Sequence, residues 1–236
     1  MSDIPKVIHY VWVGPKPLSK LTKRCIASWK KYMPDYQIIQ WNEENFPDTN
    51  HPFYQKMYQQ KKWAFVSDYM RFWILSKEGG IYLDTDQEIL KPLTPVLNNE
   101  SVWGRAADGY ISCGFIASMP NNSFVEKILK KYSTFLSTVL SEITSPKIVT
   151  EIYKELDPIE KENASVLEKQ FIYPCNAGEK CTPEKLQHAY TNHHWAESWV
   201  PYSRTRKFIR YILLKVGLLK IGKKILKKIK SVNTNQ

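Results

Sequence analysis

Strand-like runs alternate with helical patterns along the first half of the chain, and this alternation restricts the fold more than any other feature. Residues 6–13 are β-branched and aromatic and stop at Gly14-Pro15, as a buried strand does where it enters a loop. Residues 18–32 place apolar side chains at helical spacing, and residues 36–41 form a second strand-like run. The chain is therefore predicted to open as β-α-β, the start of an α/β domain.

A further helix and strand lead to an acidic cluster. Residues 64–77 carry large apolar side chains at helical spacing, and Gly79-Gly80 is a typical glycine helix end. Residues 81–90 are predicted to form the next strand. A largely parallel sheet collects ligands at the carboxyl ends of its strands, so we expect the functional site at that edge. Further along, the pattern predicts helices at 123–142 and 146–156 and a short strand at 170–174.

The positive charge of the chain is confined to its carboxyl-terminal part. The 236 residues carry a formal net charge of +11, yet basic and acidic side chains balance in residues 1–200. All of the excess comes from Lys and Arg in residues 201–236, where there is no acid. We therefore divide the chain into a domain, residues 1–200, and a basic tail, residues 201–236.

The tail has the pattern of an amphipathic helix. One face carries Leu214, Leu218, Ile221, Ile225, Ile229 and Val232, and the lysines lie off that face. We predict that residues 204–230 bind an anionic membrane surface. A helix packed on the domain and a nucleic-acid contact are the alternatives. We expect no nucleic-acid partner, because it would account for the charge but not for the apolar face.

The cysteines and the amino terminus favour a reducing compartment. Cys25, Cys113, Cys175 and Cys181 are too scattered for a disulfide framework and form no CxxC pair. We expect reduced thiols, with a Cys175–Cys181 bridge as the alternative. The sequence opens without the charged and apolar regions of a secretory leader. We therefore expect a cytoplasmic protein, attached peripherally to the inner face of the plasma membrane.

Two aspartates at the predicted strand end form a candidate metal site. Because side chains alternate along a strand, Tyr82, Asp84 and Asp86 are expected to project to one side. Two adjacent carboxylates repel each other unless a hard divalent cation lies between them. An Asp-x-Asp spacing alone is a weak signal, since a solvated strand end also produces it.

Two further segments strengthen the site. Asp68 and Arg71 lie at i, i+3 on the preceding helix, where they form either an intrahelical ion pair or a pair of groups that bind ligand hydroxyls. Residues 192–199 gather two histidines, two tryptophans and a serine, which supply metal ligands and hydrogen-bond donors for phosphate.

At this point four segments, residues 4–12, 67–71, 79–86 and 193–199, resemble in order the DXD-containing glycosyltransferases of family 32. These enzymes are similar to the catalytic domains of clostridial glucosylating toxins. The resemblance covers about residues 1–200. It implies a single GT-A domain, a Rossmann-like nucleotide-sugar-binding fold of the α/β class, here with helical insertions and a carboxyl-terminal amphipathic helix. It also implies a UDP-sugar donor and Mn²⁺ or Mg²⁺.

The resemblance further assigns roles to particular residues. Val11 and Trp12 would hold the base, and Asp68 and Arg71 would bind the donor sugar. Ser67, Tyr82 and Asp84 would lie beside the sugar and ribose. Asp84, Asp86 and His194 would ligate the metal, and Ser198 and Trp199 would contact the diphosphate. Asp68, Arg71, Asp84 and Asp86 form the expected catalytic set. His9 and His193 are equally compatible with structural roles.

We therefore expect a retaining, metal-dependent glycosyltransferase. It would move a hexose from a nucleotide-sugar to a lipid-linked oligosaccharide or surface polysaccharide. Breaking the sugar–diphosphate bond leaves negative charge that a cation neutralises and positive charge on the sugar that a carboxylate tolerates. A metal-dependent phosphohydrolase and a non-catalytic membrane-binding protein are the alternatives.

Overall fold

The computed structural model describes residues 4–106, 109–134 and 144–196. The strands are β1 (Val7–Val11), β2 (Gln37–Trp41), β3 (Gly80–Leu83), β4 (Gln87–Ile89), β5 (Ser101–Arg105), β6 (Ile111–Ser118), β7 (Ala164–Leu167) and β8 (Thr191–His193). The helices are α1 (Lys20–Tyr32), α2 (Pro52–Gln59), α3 (Trp63–Glu78), α4 (Ser123–Tyr132), α5 (Ser145–Glu155), α6 (Pro158–Glu162), α7 (Lys169–Ile172) and α8 (Pro183–Leu186), with a 3₁₀ turn at Thr94–Val96. The predicted tail, residues 201–236, lies outside the described residues.

Six strands form a mixed sheet in the order β2-β1-β3-β6-β5-β7. β1 runs parallel to β2 and β3, and β5 runs parallel to β7, whereas β6 is antiparallel to both β3 and β5. β4 and β8 pair separately as a two-stranded antiparallel ribbon. The predicted α/β class and the β-α-β opening are confirmed, although the sheet is less uniformly parallel than expected.

The two faces of the sheet bury separate apolar layers. Trp29 of α1 belongs to the layer that includes Ile81 and Leu83, whereas Met70 of α3 belongs to the layer that includes Tyr82. This division follows from the alternation of side chains along β3. Tyr82 therefore lies on the side of the sheet where α3 carries its polar residues.

The glycine pair after α3 joins the helix to the central strand. Gly79 caps the helix with φ 64° and donates its backbone N–H to Leu75 O. Gly80 has φ 90°, and a Cβ at this position would lie 2.8 Å from Val7 O. Only glycine meets both demands without strain. The predicted helix end is confirmed.

His9 supports this junction. Trp41 Nε1 donates to His9 Nδ1 over 3.0 Å, and His9 Nε2 lies 3.0 Å from Gly79 O. Burial lowers the pKa of His9 to about 4, although the hydrogen bond to Gly79 opposes the shift. The ring is therefore neutral at physiological pH and acts structurally.

Three predicted elements differ from those observed. The strand predicted at 81–90 breaks at Asp84–Asp86, because Asp84 N–H bonds to Gly114 O and Gln87 N–H turns back to Asp84 O. The strand predicted at 170–174 is replaced in its first part by the short helix α7, which buries Ile172. Helix α4 ends at Tyr132, and residues 135–142 of the predicted helix lie outside the described residues.

Two of the four cysteines are bonded. Cys175 and Cys181 form a disulfide, whereas Cys25 and Cys113 are free and buried. The expectation of four reduced thiols is therefore wrong for this pair, and the alternative bridge is observed. Six residues of separation allow the two sulfurs to meet across a short loop.

Among the described residues, no helix has the length and apolarity needed to cross a membrane.

We predict that Gly80→Ala lowers the free energy of unfolding by roughly 1–3 kcal/mol, because it adds both a clash and an unfavourable backbone conformation. Chemical denaturation measures the loss. Gly109→Ala is the matched control, since Gly109 also has positive φ, at 84°, but no atom within 4 Å of an added Cβ. Equal losses in the two variants would contradict the role assigned to the close backbone contact at Gly80.

Candidate metal and sugar-binding site

The predicted site residues meet at the carboxyl edge of two parallel strands. The register of β1 with β3 pairs His9 with Tyr82, so Val11 and Asp84 reach the same edge of the sheet. The side chain of Val11 is buried, and only its backbone can face a ligand at this edge. Trp12 is half-buried, and its indole N–H donates to Lys16 O over 2.7 Å, which fixes the ring within its loop.

Asp84 and Asp86 converge through a turn rather than along a continuous strand. The turn between β3 and β4 brings both carboxylates to His193, the last residue of β8. One ligand atom from each of these three side chains can be chosen so that all lie within 4.8 Å of one another. This is the spacing expected for three groups around one cation.

The ring of His193 lies close to both aspartates. Its Nε2 lies 3.0 Å from Asp86 Oδ1 and 3.8 Å from Asp84 Oδ2, yet neither buried ring nitrogen makes a hydrogen bond of good geometry. Burial lowers the pKa of His193, but the two carboxylates outweigh it and raise the pKa overall. Burial raises the pKa of Asp86, but the contact with His193 and the hydrogen bond from the Ala196 N–H outweigh burial and lower this pKa overall.

The ring of His193 is held in place by aromatic neighbours. Trp195 packs edge-on against it with ring centroids 4.3 Å apart, and Tyr173 does so at 5.7 Å. Trp195 is in turn anchored by its indole N–H, which donates to Cys175 O over 2.9 Å. The disulfide-bonded loop therefore supports His193 indirectly.

His194, predicted as a metal ligand, does not join the aspartates among the described residues; the ring beside Asp84 and Asp86 is that of His193. The Nε2 of His194 lies 2.7 Å from Glu88 Oε2, and only its backbone N–H reaches Asp86, at the carbonyl oxygen. Neighbouring residues at a strand end point in different directions. The pairing of His193 with Gln87 across the ribbon decides which histidine faces the site.

Arg71 organises the carboxylates, and its donors are all engaged within the protein. Its Nη1 contacts Asp84 Oδ1 at 3.2 Å and Cys113 O, its Nη2 contacts Asp68 Oδ1 at 3.0 Å and Ser67 Oγ, and its Nε donates to Ser67 O. The guanidinium also lies 4.5 Å from the ring centre of Tyr82. Burial opposes its charge, but the carboxylates outweigh burial and hold the pKa of Arg71 above the usual value. Arg71 thus holds the two aspartates in fixed positions.

Asp68 has hydrogen-bond partners at one carboxylate oxygen among the described residues. Its Oδ1 accepts from Arg71 and from Ser145 Oγ, the latter over 3.0 Å, whereas no described protein group bonds to its Oδ2. Burial raises the pKa of Asp68, and Arg71 and Ser145 partly offset that rise. Ser145 lies 77 residues from Asp68 in the chain, and no sequence signal connected the two.

Ser67 and Tyr82 support the carboxylates from within the protein. The Ser67 hydroxyl donates to Ala64 O and accepts from Arg71, and the Tyr82 hydroxyl donates to Asp84 Oδ1 over 3.2 Å. The side chain of Tyr82 is buried.

Gly114 allows Asp84 to approach the sheet. A Cβ at Gly114 would lie 2.8 Å from Asp84 Oδ2 and 3.3 Å from the Tyr173 hydroxyl. The absence of a side chain at this point is thus part of the site, and sequence reasoning missed it. Ser198 and Trp199, predicted to contact the diphosphate, lie outside the described residues.

Known proteins share both the sequence of this region and the fold. Residues 19–103 match the family described as glycosyltransferase sugar-binding region containing DXD motif. A protein of Acanthamoeba polyphaga mimivirus, described as an uncharacterized glycosyltransferase, is 26% identical over 225 residues, which cover 86% of this chain and 87% of that protein. Inositol phosphoceramide mannosyltransferase 3 of Schizosaccharomyces pombe is 26% identical over 139 residues, 56% of this chain and 38% of the yeast protein.

The yeast match leaves more than half of that relative without a counterpart in this chain. Among solved structures, PaToxG glycosyltransferase superposes on this chain with a TM-score of 0.55 at 20% sequence identity. The alignment covers 67% of this chain and 72% of the PaToxG chain. That similarity shows a shared fold, the GT-A fold. The chain therefore has the GT-A fold, and its residues 19–103, which include Asp84-Thr85-Asp86, are similar to a glycosyltransferase sugar-binding region that contains a DXD motif.

Proposed function

We propose that the chain is a retaining, metal-dependent hexosyltransferase that uses a nucleotide-sugar donor, with a UDP-sugar as the first candidate. The observation that carries the proposal is the convergence of Asp84, Asp86 and His193, with ligand atoms within 4.8 Å of one another. The buried ring of His193, which lies 3.0 Å from Asp86 Oδ1 through Nε2 and has no hydrogen-bond partner at Nδ1 among the described residues, supports a cation at this point.

The donor set fits a divalent ion and favours manganese over magnesium. Carboxylates suit hard cations in general, whereas an imidazole ligand is less typical of Mg²⁺, which prefers oxygen. A bound cation would act as a Lewis acid that neutralises charge on the diphosphate leaving group. Asp84, Asp86 and His193 would hold it.

The other residues would prepare the donor sugar for transfer. Asp68 Oδ2 can accept a hydroxyl hydrogen of the sugar, because Arg71 and Ser145 already occupy Oδ1. Arg71 fixes Asp68 and Asp84 in one frame, so that the sugar-facing and metal-facing carboxylates keep a constant separation. Preorganisation of this kind lowers the barrier because the groups need no rearrangement as charge develops.

The proposed acceptor is a lipid-linked oligosaccharide or another surface glycan at a membrane. The name of the fission-yeast relative includes a sphingolipid, inositol phosphoceramide, which supports a lipid-borne acceptor for this chain. The basic tail, residues 204–230, has the charge and apolar face needed to bring the domain to an anionic bilayer. We place the enzyme peripherally on the inner face of the plasma membrane. A disulfide such as Cys175–Cys181 is more typical of an oxidising compartment, so its redox state in cells bears directly on this location.

We predict that one donor in a panel of UDP- and GDP-sugars, including GDP-mannose, is cleaved to free nucleotide with Mn²⁺ and not with EDTA. Asp86→Asn and His193→Ala should lower the rate by at least about 100-fold, because each removes a ligand of the cation. Nucleotide release is measured by a coupled assay. Asp35→Asn, at an exposed aspartate in the turn before β2, is the matched control and should retain the wild-type rate.

If no donor in the panel releases nucleotide and calorimetry detects no nucleotide binding, the proposal is contradicted. Phosphate release from simple esters without sugar transfer would instead favour a phosphohydrolase. Full activity in EDTA would support a transferase but would contradict its proposed dependence on a metal.

We further predict that Arg71→Lys lowers kcat by about 100-fold and destabilises the fold by roughly 1–3 kcal/mol. Lysine keeps the charge but cannot satisfy Asp68, Asp84 and the buried Cys113 carbonyl together. Steady-state kinetics and thermal denaturation measure the two effects. Arg105→Lys, at a half-buried arginine 3.9 Å from Glu168, is the control. A stable variant with a raised donor KM and unchanged kcat would show that Arg71 binds the sugar directly.

A further inference from the structure

We infer that Glu88, His194 and Arg24 are positioning residues that hold the β4–β8 ribbon so that His193 faces the two aspartates. The inference rests on the proposed metal site, and it concerns residues that do not touch the cation. It replaces the expected role of His194 as a ligand with a role in setting metal affinity from outside the site.

The three side chains form one cluster on the α1 side of the ribbon. His194 Nε2 lies 2.7 Å from Glu88 Oε2, and the Arg24 guanidinium lies 3.7 Å from the same oxygen and 3.2 Å from His194 Nε2. Glu88 and His194 are half-buried, at 24% and 21% side-chain exposure, whereas Arg24 closes the cluster from solvent at 58%. The cluster therefore links α1, β4 and the end of β8.

Backbone bonds connect this cluster to the ligands. His194 N–H donates to Asp86 O over 3.0 Å, and Gln87, between Asp86 and Glu88, pairs with His193 across the ribbon. His193 and His194 are adjacent, so a side-chain anchor on His194 limits the rotation of the residue that carries the ligand. Because β8 contains only three residues, its own ladder constrains this end weakly.

Helix α1 holds the rest of the ribbon by two further polar contacts. Trp29 Nε1 donates to Gln87 O over 2.7 Å, and Ile89 N–H donates to Ser28 Oγ over 2.9 Å. Arg24 lies one helical turn before Ser28 and extends this line of contacts toward the metal-facing end of the ribbon. The helix is thus a rigid support for β4, and the Glu88 cluster extends that support to β8.

Metal sites depend on such supporting groups. Residues that orient a ligand without contacting the ion typically change metal affinity by about 10- to 100-fold when removed. We therefore expect Glu88→Ala and His194→Ala to weaken Mn²⁺ binding by about tenfold, and His193→Ala, which removes the ligand, to weaken it by more than about 100-fold.

The test is Mn²⁺ titration calorimetry on the full chain, combined with thermal denaturation in EDTA. Glu88→Gln separates geometry from charge, because glutamine still accepts a hydrogen bond from His194 but carries no charge to attract a cation. His194→Gln tests rescue by another side chain that donates to Glu88. Lys23→Ala is the control for Arg24→Ala, since Lys23 is an exposed cation of the same helix without a described ion pair.

We expect weaker Mn²⁺ binding in the Glu88→Ala, His194→Ala and Arg24→Ala variants. Binding should stay near that of the wild type in Glu88→Gln, His194→Gln and Lys23→Ala. All six variants should melt in EDTA within a few degrees of the wild type. Unchanged affinity in Glu88→Ala and His194→Ala would overturn the inference, and so would equal losses in Glu88→Ala and Glu88→Gln, which would show a charge effect alone. A wild-type chain that binds no Mn²⁺ would instead overturn the proposed metal dependence, and the inference with it.

Discussion

The buried guanidinium of Arg71 is the interaction on which the rest of the site depends. Asp68 and Asp84 come from different elements and would repel each other in a covered cleft, and Arg71 lies against both at 3.0 and 3.2 Å. Burying a charge is costly unless it is paired and its donors are satisfied, and both conditions are met here. Removing Arg71 would leave the two carboxylates without this cation and the Cys113 carbonyl without this donor. Asp68 and the Asp84–Asp86 turn therefore form one unit.

The pair Asp84 and Asp86 carries more negative charge than its partners balance. Asp84 shares Arg71 with Asp68, and within residues 4–106, 109–134 and 144–196 the side chain of Asp86 contacts His193 and the Ala196 N–H. A divalent cation would balance this charge and would replace the proton that the carboxylates favour on His193. The same arrangement thus explains why the aspartates tolerate their proximity and why the imidazole lies between them without a good hydrogen bond.

Local sequence pattern predicted the parts of the structure that local physics determines. Helical periodicity and the Gly79-Gly80 pair placed α3 and its end, and β-branched runs placed β1 and β2, because these elements follow from short-range preferences. The convergence of Asp84 with Asp86 was also expected, although the turn between β3 and β4 produces it rather than strand alternation.

Contacts between distant segments could not be predicted in the same way. Whether His193 or His194 lies beside the aspartates depends on the pairing of β8 with β4, a strand about a hundred residues earlier in the chain. The His-His dipeptide itself does not indicate that pairing. Ser145 reaches Asp68 from a helix 77 residues away. Gly114 matters because of what its missing side chain leaves open, and a glycine within a strand gives no sign of the carboxylate beside it.

The most direct measurement is anomalous diffraction at the manganese edge from crystals grown with Mn²⁺ and a nucleoside diphosphate. The account predicts one strong peak about 2.0–2.6 Å from Asp84, Asp86 and His193 side-chain atoms, with His194 still turned toward Glu88. A peak coordinated by His194, or no peak at the DXD motif at a saturating concentration of Mn²⁺, would contradict the central claim that these three side chains form the metal site.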